Sequence, residues 1–286
     1  MPQGHCILSF LFLQQDQYSP NWPIYRLILF MTTQISHKSK KPIPTRERLI
    51  FALDVASTDE AKRLVKELGN SICFYKLGLE LFMAGGYFEL VEWISNQGKK
   101  VFVDLKFFDV PQTVQSAVRQ LKKYKVSFAT VHGNDEMLRA AVKEKGEVKI
   151  LAVTVLTSLD QGDLNDLGFK ADIKSVVLSR AKRALEIGCD GVISSGIEAP
   201  YLRENLGDRL IIISPGIRAV KNVDDQKRTV NVEEAFYNGA DYIVVGRPIK
   251  EAQGFNSPKE AAENIQNRIQ HIFETSDGVA NPMPLS

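Results

Sequence analysis

The chain has 286 residues, with 36 lysines and arginines against 34 aspartates and glutamates, a net charge of +2, 44% hydrophobic residues and 24% charged ones. That is ordinary globular composition, and it excludes collagen-like, disulfide-scaffold and highly charged disordered classes. Charge is nearly balanced and no dense basic stripe is interleaved with aromatics, which speaks against nucleic acid as a partner and leaves any anionic ligand to a local site.

The first 46 residues differ in character from the rest. Cys6 to Leu13 is a short apolar run with no Lys or Arg before it and no small-residue cleavage site after it, a poor fit to a secretory signal. A second apolar patch, Ile24 to Met31, follows Pro20 and Pro23. Neither patch reaches the roughly 20 residues needed to span a bilayer, so no membrane partner is expected. Asp16 is the only acid before Glu47, as in an organelle transit peptide, but arginine is scarce. Thr32 to Lys41 is polar and basic and reads as a flexible tail, because it has little to bury against its ordering entropy. The expected organisation is an N-terminal extension over 1–46, disordered or dispensable with Met31 as the functional start, one domain over 47–275, and a tail over 276–286. Cys6, Cys73 and Cys189 are odd in number and form no CxxC pair, so neither a disulfide framework nor a zinc site is implied and a reducing, cytoplasmic compartment is expected. Cys73, inside the run Ile72 to Tyr75, reads as a small buried residue.

From Arg48 onward, strand-like apolar runs alternate with amphipathic helical segments. The predicted strands are Leu49 to Val55, Cys73 to Gly78, Val101 to Lys106, Phe128 to Gly133, Lys149 to Leu156, Gly191 to Gly196, Leu210 to Gly216 and Tyr242 to Arg247. The predicted helices are Asp59 to Leu68, Leu81 to Asn96, Val114 to Tyr124, Glu136 to Lys145, Ile173 to Ile187, Ala199 to Asn205, Val232 to Asn238 and Pro258 to Phe273. Strands apolar on both faces and separated by helices imply a parallel sheet covered by helices. Eight such repeats fit a closed (β/α)₈ TIM barrel, which takes about 250 residues, better than an open sheet. The GxGxxG fingerprint of a dinucleotide fold is absent after the first strand, where the chain reads Phe51 to Ser57.

Polar residues gather at the C-terminal ends of the predicted strands, where a barrel carries its active site. They are Asp54, Lys76, Asp104 with Lys106, His132, Thr157, Ser194 with Ser195, Pro215 with Arg218, and Arg247. The third strand is the most informative. Residues two apart share a face, so Asp104 and Lys106 point with Phe102, together into the barrel or together out. Outward they would sit in an apolar layer where charge is expensive unless fully paired, so they are expected inside. Lys76, flanked by Phe74, Tyr75 and Leu77, also needs anionic partners if it faces inward. Asp109 stands just before Val110-Pro111, where proline fits a first helical turn, and is either the helix-start residue or part of the charged cluster. Two lysines and two carboxylates would hold an ammonium at a reacting carbon. His132, beside Gly133, reads as a strand-end hydrogen-bonding residue.

Loops after strands seven and eight of a barrel often hold phosphate. Here they read Ser214-Pro215-Gly216-Ile217-Arg218 and Val245-Gly246-Arg247-Pro248. Gly216 and Gly246 allow close backbone approach, and Arg247 offers a planar fork for phosphate oxygens. Gln226 lies in the long segment that follows strand seven, in a position to close over a ligand.

These residues resemble a known family. Asp104-Leu105-Lys106 with Asp109 and Pro111, the PGIR run at Pro215 to Arg218, and Val245-Gly246-Arg247 are similar to the signatures of the orotidine 5'-phosphate decarboxylases, over about Arg48 to Ile272. The resemblance implies a cofactor-free and metal-free enzyme that converts orotidine 5'-monophosphate to uridine 5'-monophosphate and CO₂, the last step of de novo UMP synthesis. It implies Lys106 as the acid that protonates C6, Asp104 against the substrate carboxylate, and an array of Lys76, Asp104, Lys106 and Asp109, with Asp109 and the ribose-contacting Thr113 given by the other subunit of a homodimer. By the same resemblance Asp54 and Lys76 hold ribose hydroxyls, Thr157 and Ser214 lie near the pyrimidine, and Pro215 is a further substrate-binding residue. Gln226, Gly246 and Arg247 bind phosphate, with Arg218 close by. The chain departs from the family pattern at Phe108, where many members carry histidine, and at Val110, where isoleucine is common.

Three other readings stay open at this point. A Mg²⁺-dependent sugar-phosphate lyase or decarboxylase shares the barrel and the DxKxxD core. A catalytically silent barrel would bind the nucleotide without turning it over. The N-terminal extension would, in a third reading, serve as an interaction tail.

Overall fold

A computed structural model gives the fold and describes residues 36–132, 134–217 and 228–274. The strands are β1 (Leu49–Ala52), β2 (Phe74–Leu77), β3 (Lys100–Phe107), β4 (Phe128–His132), β5 (Lys149–Val153), β6 (Gly191–Ile193), β7 (Ile211–Ser214) and β8 (Tyr242–Val245). Each pairs in parallel with the next and β8 pairs with β1, so the sheet closes into a barrel in sequence order. This is the (β/α)₈ architecture expected from the alternation.

Burial on both faces explains why the strands read as continuous apolar runs. Ile50, Ala52, Phe74, Phe102, Phe128, Leu151, Ile213, Tyr242 and Val244 form one cluster. Their neighbours Phe51, Tyr75, Val103, Ala129, Ile150, Val192, Ile212 and Ile243 belong to a second, larger cluster shared with the helices. The first cluster fills the barrel. Its floor is aromatic: the Phe128 ring lies 5.0 Å from Phe74 and 5.3 Å from Tyr242. Followed upward two residues at a time, the inward positions change character, from Ile50 and Ala52 to Asp54, from Phe74 to Lys76, and from Phe102 to Asp104. An apolar plug therefore supports a charged rim.

Three local expectations differ from what is found. The helix expected over Leu81 to Asn96 is two helices, Leu79–Met83 and Tyr87–Ser95, because Gly85 and Gly86 between them take φ of +82° and +65°, conformations that end a right-handed helix. Two short helices, Gln161–Asp166 and Arg247–Lys250, have no counterpart among the predicted elements, being too short to show a period. Strands one, five and six stop at Ala52, Val153 and Ile193, each three residues early.

The largest correction concerns the segment expected to be flexible through Lys41. Asp241, just before β8, is fully buried, and a buried carboxylate has to be paired. Ser39, itself 3% exposed, donates to it; Lys41 Nζ lies 3.0 Å from Asp241 Oδ2 and Arg203 Nη2 lies 2.7 Å from the same oxygen. Arg48 bridges the carbonyls of Lys41 and Asp241, and the His37 amide donates to the Tyr237 carbonyl. Residues 37–48 are thus stitched across the lower end of the barrel. Cys189 is buried, whereas Cys73 is only half-buried and donates to the Arg46 carbonyl, which corrects its reading as a core residue.

Candidate active site

The C-terminal ends of the strands enclose a cavity of about 350 Å³ whose wall includes Asp54, Lys76, Asp104, Lys106, Thr157, Pro215, Gly216, Gly246 and Arg247. Four charged side chains alternate in sign along it. Lys76 Nζ is 3.1 Å from Asp54 Oδ1 and 3.4 Å from Asp104 Oδ2, and Lys106 Nζ is 2.9 Å from that same Asp104 oxygen. Asp104 and Lys106 thus face inward with Phe102, as strand periodicity requires.

The array holds its charges against burial. Desolvation pulls the Lys76 pKa down, but Asp104 and Asp54 outweigh it and raise the pKa above the ordinary lysine value. Desolvation pushes the Asp104 pKa up, yet Lys76, Lys106 and hydrogen bonds from Lys106 and Thr130 hold its carboxyl below the usual range. Both groups are charged at neutral pH.

The backbone beneath the array is irregular. Val103 pairs with Ala129 and Phe107 with Val131, so β3 spends four residues where β4 spends two. Within this bulge Lys106 takes φ of +48°, a left-handed conformation that costs a side-chain-bearing residue roughly 1–2 kcal/mol. Its amide donates to the Thr130 hydroxyl at 2.9 Å, and the same hydroxyl donates to Asp104 Oδ1 at 2.9 Å. Thr130 is absent from the sequence-derived candidates. The available signal was its place two residues after Phe128, a hydroxyl on an inward position in the middle of a short strand.

The other candidates are spread over different places. Thr157, Pro215, Gly216, Gly246 and Arg247 line the cavity, with Gly216 at φ of +76°, a value that favours glycine. Ser214 is fully buried at the end of β7, and among the described residues its hydroxyl, like that of Ser194, has no hydrogen-bond partner. Asp109 and Thr113 are exposed outside the cavity; Asp109 Oδ1 accepts from the Val110 amide at 2.7 Å, immediately before the helix Pro111–Leu121. Within one chain, then, the fourth charge of the array is Asp54 rather than Asp109. Arg218 and Gln226 lie outside the described residues. His132 does not line the cavity; its ring is 4.7 Å from that of Phe108, and burial and Arg180 lower its pKa. Sequence reasoning also missed Ser158 and Lys250, both in the cavity wall, with Lys250 Nζ donating to the Asp54 carbonyl at 2.9 Å.

Among the described residues no cluster of three or more His, Cys, Asp or Glu side chains is arranged to hold a metal ion, and Asp54 and Asp104 are engaged by lysines. No helix among them is long and apolar enough to cross a membrane.

The profile of the Orotidine 5'-phosphate decarboxylase / HUMPS family matches residues 47–265. The chain belongs to this family. Similar curated relatives are the orotidine 5'-phosphate decarboxylase of Methylococcus capsulatus, 59% identical over 82% of this chain and 97% of its own length, and that of Xanthomonas euvesicatoria, 48% identical over 81% of this chain and 96% of its own length. Among solved structures, orotidine 5'-phosphate decarboxylase from Lactobacillus acidophilus superposes with a TM-score of 0.69 at 34% identity, covering 78% of this chain and 99% of that one.

Proposed function

We propose that the protein decarboxylates orotidine 5'-monophosphate to uridine 5'-monophosphate and CO₂, the last step of de novo UMP synthesis. The observation that carries this reading is the alternating array of Asp54, Lys76, Asp104 and Lys106 in a cavity that also reaches Gly246 and Arg247. Loss of CO₂ breaks the C6–carboxylate bond and leaves its electron pair on C6, where the ring delocalises it poorly. A fixed ammonium beside that carbon stabilises the developing charge electrostatically. Lys106 then donates its proton to C6, leaving a neutral amine that regains a proton from solvent. Asp104 lies against the substrate carboxylate, and Lys76 keeps the array ordered.

Arg247, with the backbone at Gly246, takes the phosphate, and binding free energy from that remote group aligns the ring. Thr157, Ser214 and Pro215 lie at the pyrimidine, and Asp54 and Lys76 at the ribose. Asp109 and Thr113, exposed on one chain, complete the site of a second copy in a homodimer. Leu79, Phe82, Met83, Phe108 and Val110 are exposed hydrophobics that follow β2 and β3, and they support such an interface. The unpaired thiols of Cys73 and Cys189 fit a cytoplasmic enzyme. Incubation with orotidine 5'-monophosphate in D₂O tests the reaction: the account expects uridine 5'-monophosphate carrying deuterium at C6. Unchanged substrate would contradict it.

A further inference from the structure

We propose that Thr130 is a positioning residue for this chemistry, its one hydroxyl fixing the Asp104 carboxylate and the Lys106 backbone together so that the Lys106 ammonium stays aimed at the reacting carbon. The inference rests on the decarboxylase reading of the cavity.

Thr130 is fully buried in β4, beside the bulge of β3. At the bulge the regular pairing between the two strands is interrupted, and the Lys106 amide is met by a side chain. A threonine hydroxyl has one proton to give and lone pairs to receive. Thr130 gives the proton to Asp104 Oδ1 and receives the Lys106 amide, both at 2.9 Å. Asp104 is thereby engaged on both oxygens, Oδ1 by Thr130 and Oδ2 by Lys106 and Lys76, and cannot rotate without losing a partner. The same bond supports Lys106 in its left-handed conformation, which a residue with a Cβ adopts only where its surroundings over-determine it.

The chemistry of the side chain separates this role from mere filling of space. Valine has the shape of threonine without the hydroxyl; serine keeps the hydroxyl and loses a methyl. A filling role makes Thr130→Val harmless and Thr130→Ser costly, and a positioning role makes the reverse. Asp104 is faced by Lys76 from β2, with Asp54 of the β1 end behind it, by Lys106 on its own strand, by Thr130 from β4, and at longer range by Tyr87, whose hydroxyl donates to the Leu77 carbonyl. Removing the Thr130 hydroxyl takes away an interaction that lowers the Asp104 pKa, so its protonation moves to higher pH.

The experiment measures kcat, KM and the pH-rate profile of wild type, Thr130→Val and Thr130→Ser with orotidine 5'-monophosphate, together with an NMR titration of the Asp104 carboxyl in each. We expect Thr130→Val to lose about 10- to 100-fold in kcat, the range of one charge-organising hydrogen bond, with KM within about threefold. We expect its Asp104 titration to move upward, and Thr130→Ser to stay within about threefold of wild type with its titration unmoved. Should Thr130→Val not fold, Thr130→Ala removes the same hydroxyl with a smaller side chain and is read the same way. Wild-type kcat and titration in the hydroxyl-free variant, or equal loss in the serine variant, would overturn the proposal. If wild type fails to turn over the nucleotide, the decarboxylase reading falls, and the titrations alone decide whether Thr130 holds Asp104.

Discussion

Two buried aspartates stand at opposite ends of this barrel. Asp241, at the lower end, is fully buried and surrounded by Ser39, Lys41, Arg203 and the Ile212 amide. Asp104, at the upper end, meets two lysines and Thr130 but also borders a cavity. Desolvation makes an unpaired carboxylate costly at either end, and each is paired. The difference lies in what the pairing leaves over. Around Asp241, Ser39, Lys41, Arg203 and the Ile212 amide all belong to the scaffold, so the cluster joins residues 37–48 to the barrel. Around Asp104 the ammonium groups border open space, so the same electrostatic force is available to a ligand.

That contrast can be broken at either end. The largest stability effect is expected from Asp241→Asn, which leaves Lys41 and Arg203 without their anion: denaturant unfolding should show a loss of about 3–5 kcal/mol. The kcat of the protein that remains folded should not change, and a fall in kcat at unchanged stability would dissolve the distinction. Lys41→Ala removes one charged partner, 21% exposed, and is expected to cost about 1.5–3 kcal/mol in the same measurement. A loss indistinguishable from zero would return the segment to the flexible tail expected from its composition.

The smallest effect is the pH dependence of the upper cluster. Asp104 has a folded pKa below its unfolded value, so its stabilising contribution is present above the ordinary carboxylate range and is lost as pH falls through the depressed value. Lys76 has a raised pKa, so its contribution is present below the ordinary lysine value and is lost as pH rises through the raised one. Stability measured against pH should therefore show no step from this pair across the neutral range, where both contributions are fully present. A step near neutrality that disappears in Asp104→Asn would show the signs to be wrong.

Most of the fold was legible in the sequence because every strand is buried on both faces, which makes a short run such as Ile211 to Ser214 stand out from its surroundings. The inward placing of Asp104 and Lys106 was legible for a related reason: they follow Phe102 at strand spacing. What escaped depends on contacts between distant segments. Thr130 gains its role from the bulge in the neighbouring strand, which no periodicity announces. Ser39 and Lys41 lie in a polar stretch, and only the buried Asp241, some 200 positions later, gives them a place. Lys250 was overlooked because the helix Arg247–Lys250 is a single turn. Asp109 and Thr113 are a separate case: resemblance assigned them to the site of the other subunit of a homodimer, and one chain leaves them exposed outside its own cavity.

The most direct test of the central claim is the ultraviolet absorbance change of orotidine 5'-monophosphate with the full chain in excess EDTA, beside Lys106→Ala. The account predicts metal-independent turnover by the wild type and a fall of at least about 10³-fold in kcat for the variant, with the fold intact. Turnover that vanishes with EDTA, or near-normal turnover by Lys106→Ala, would contradict it.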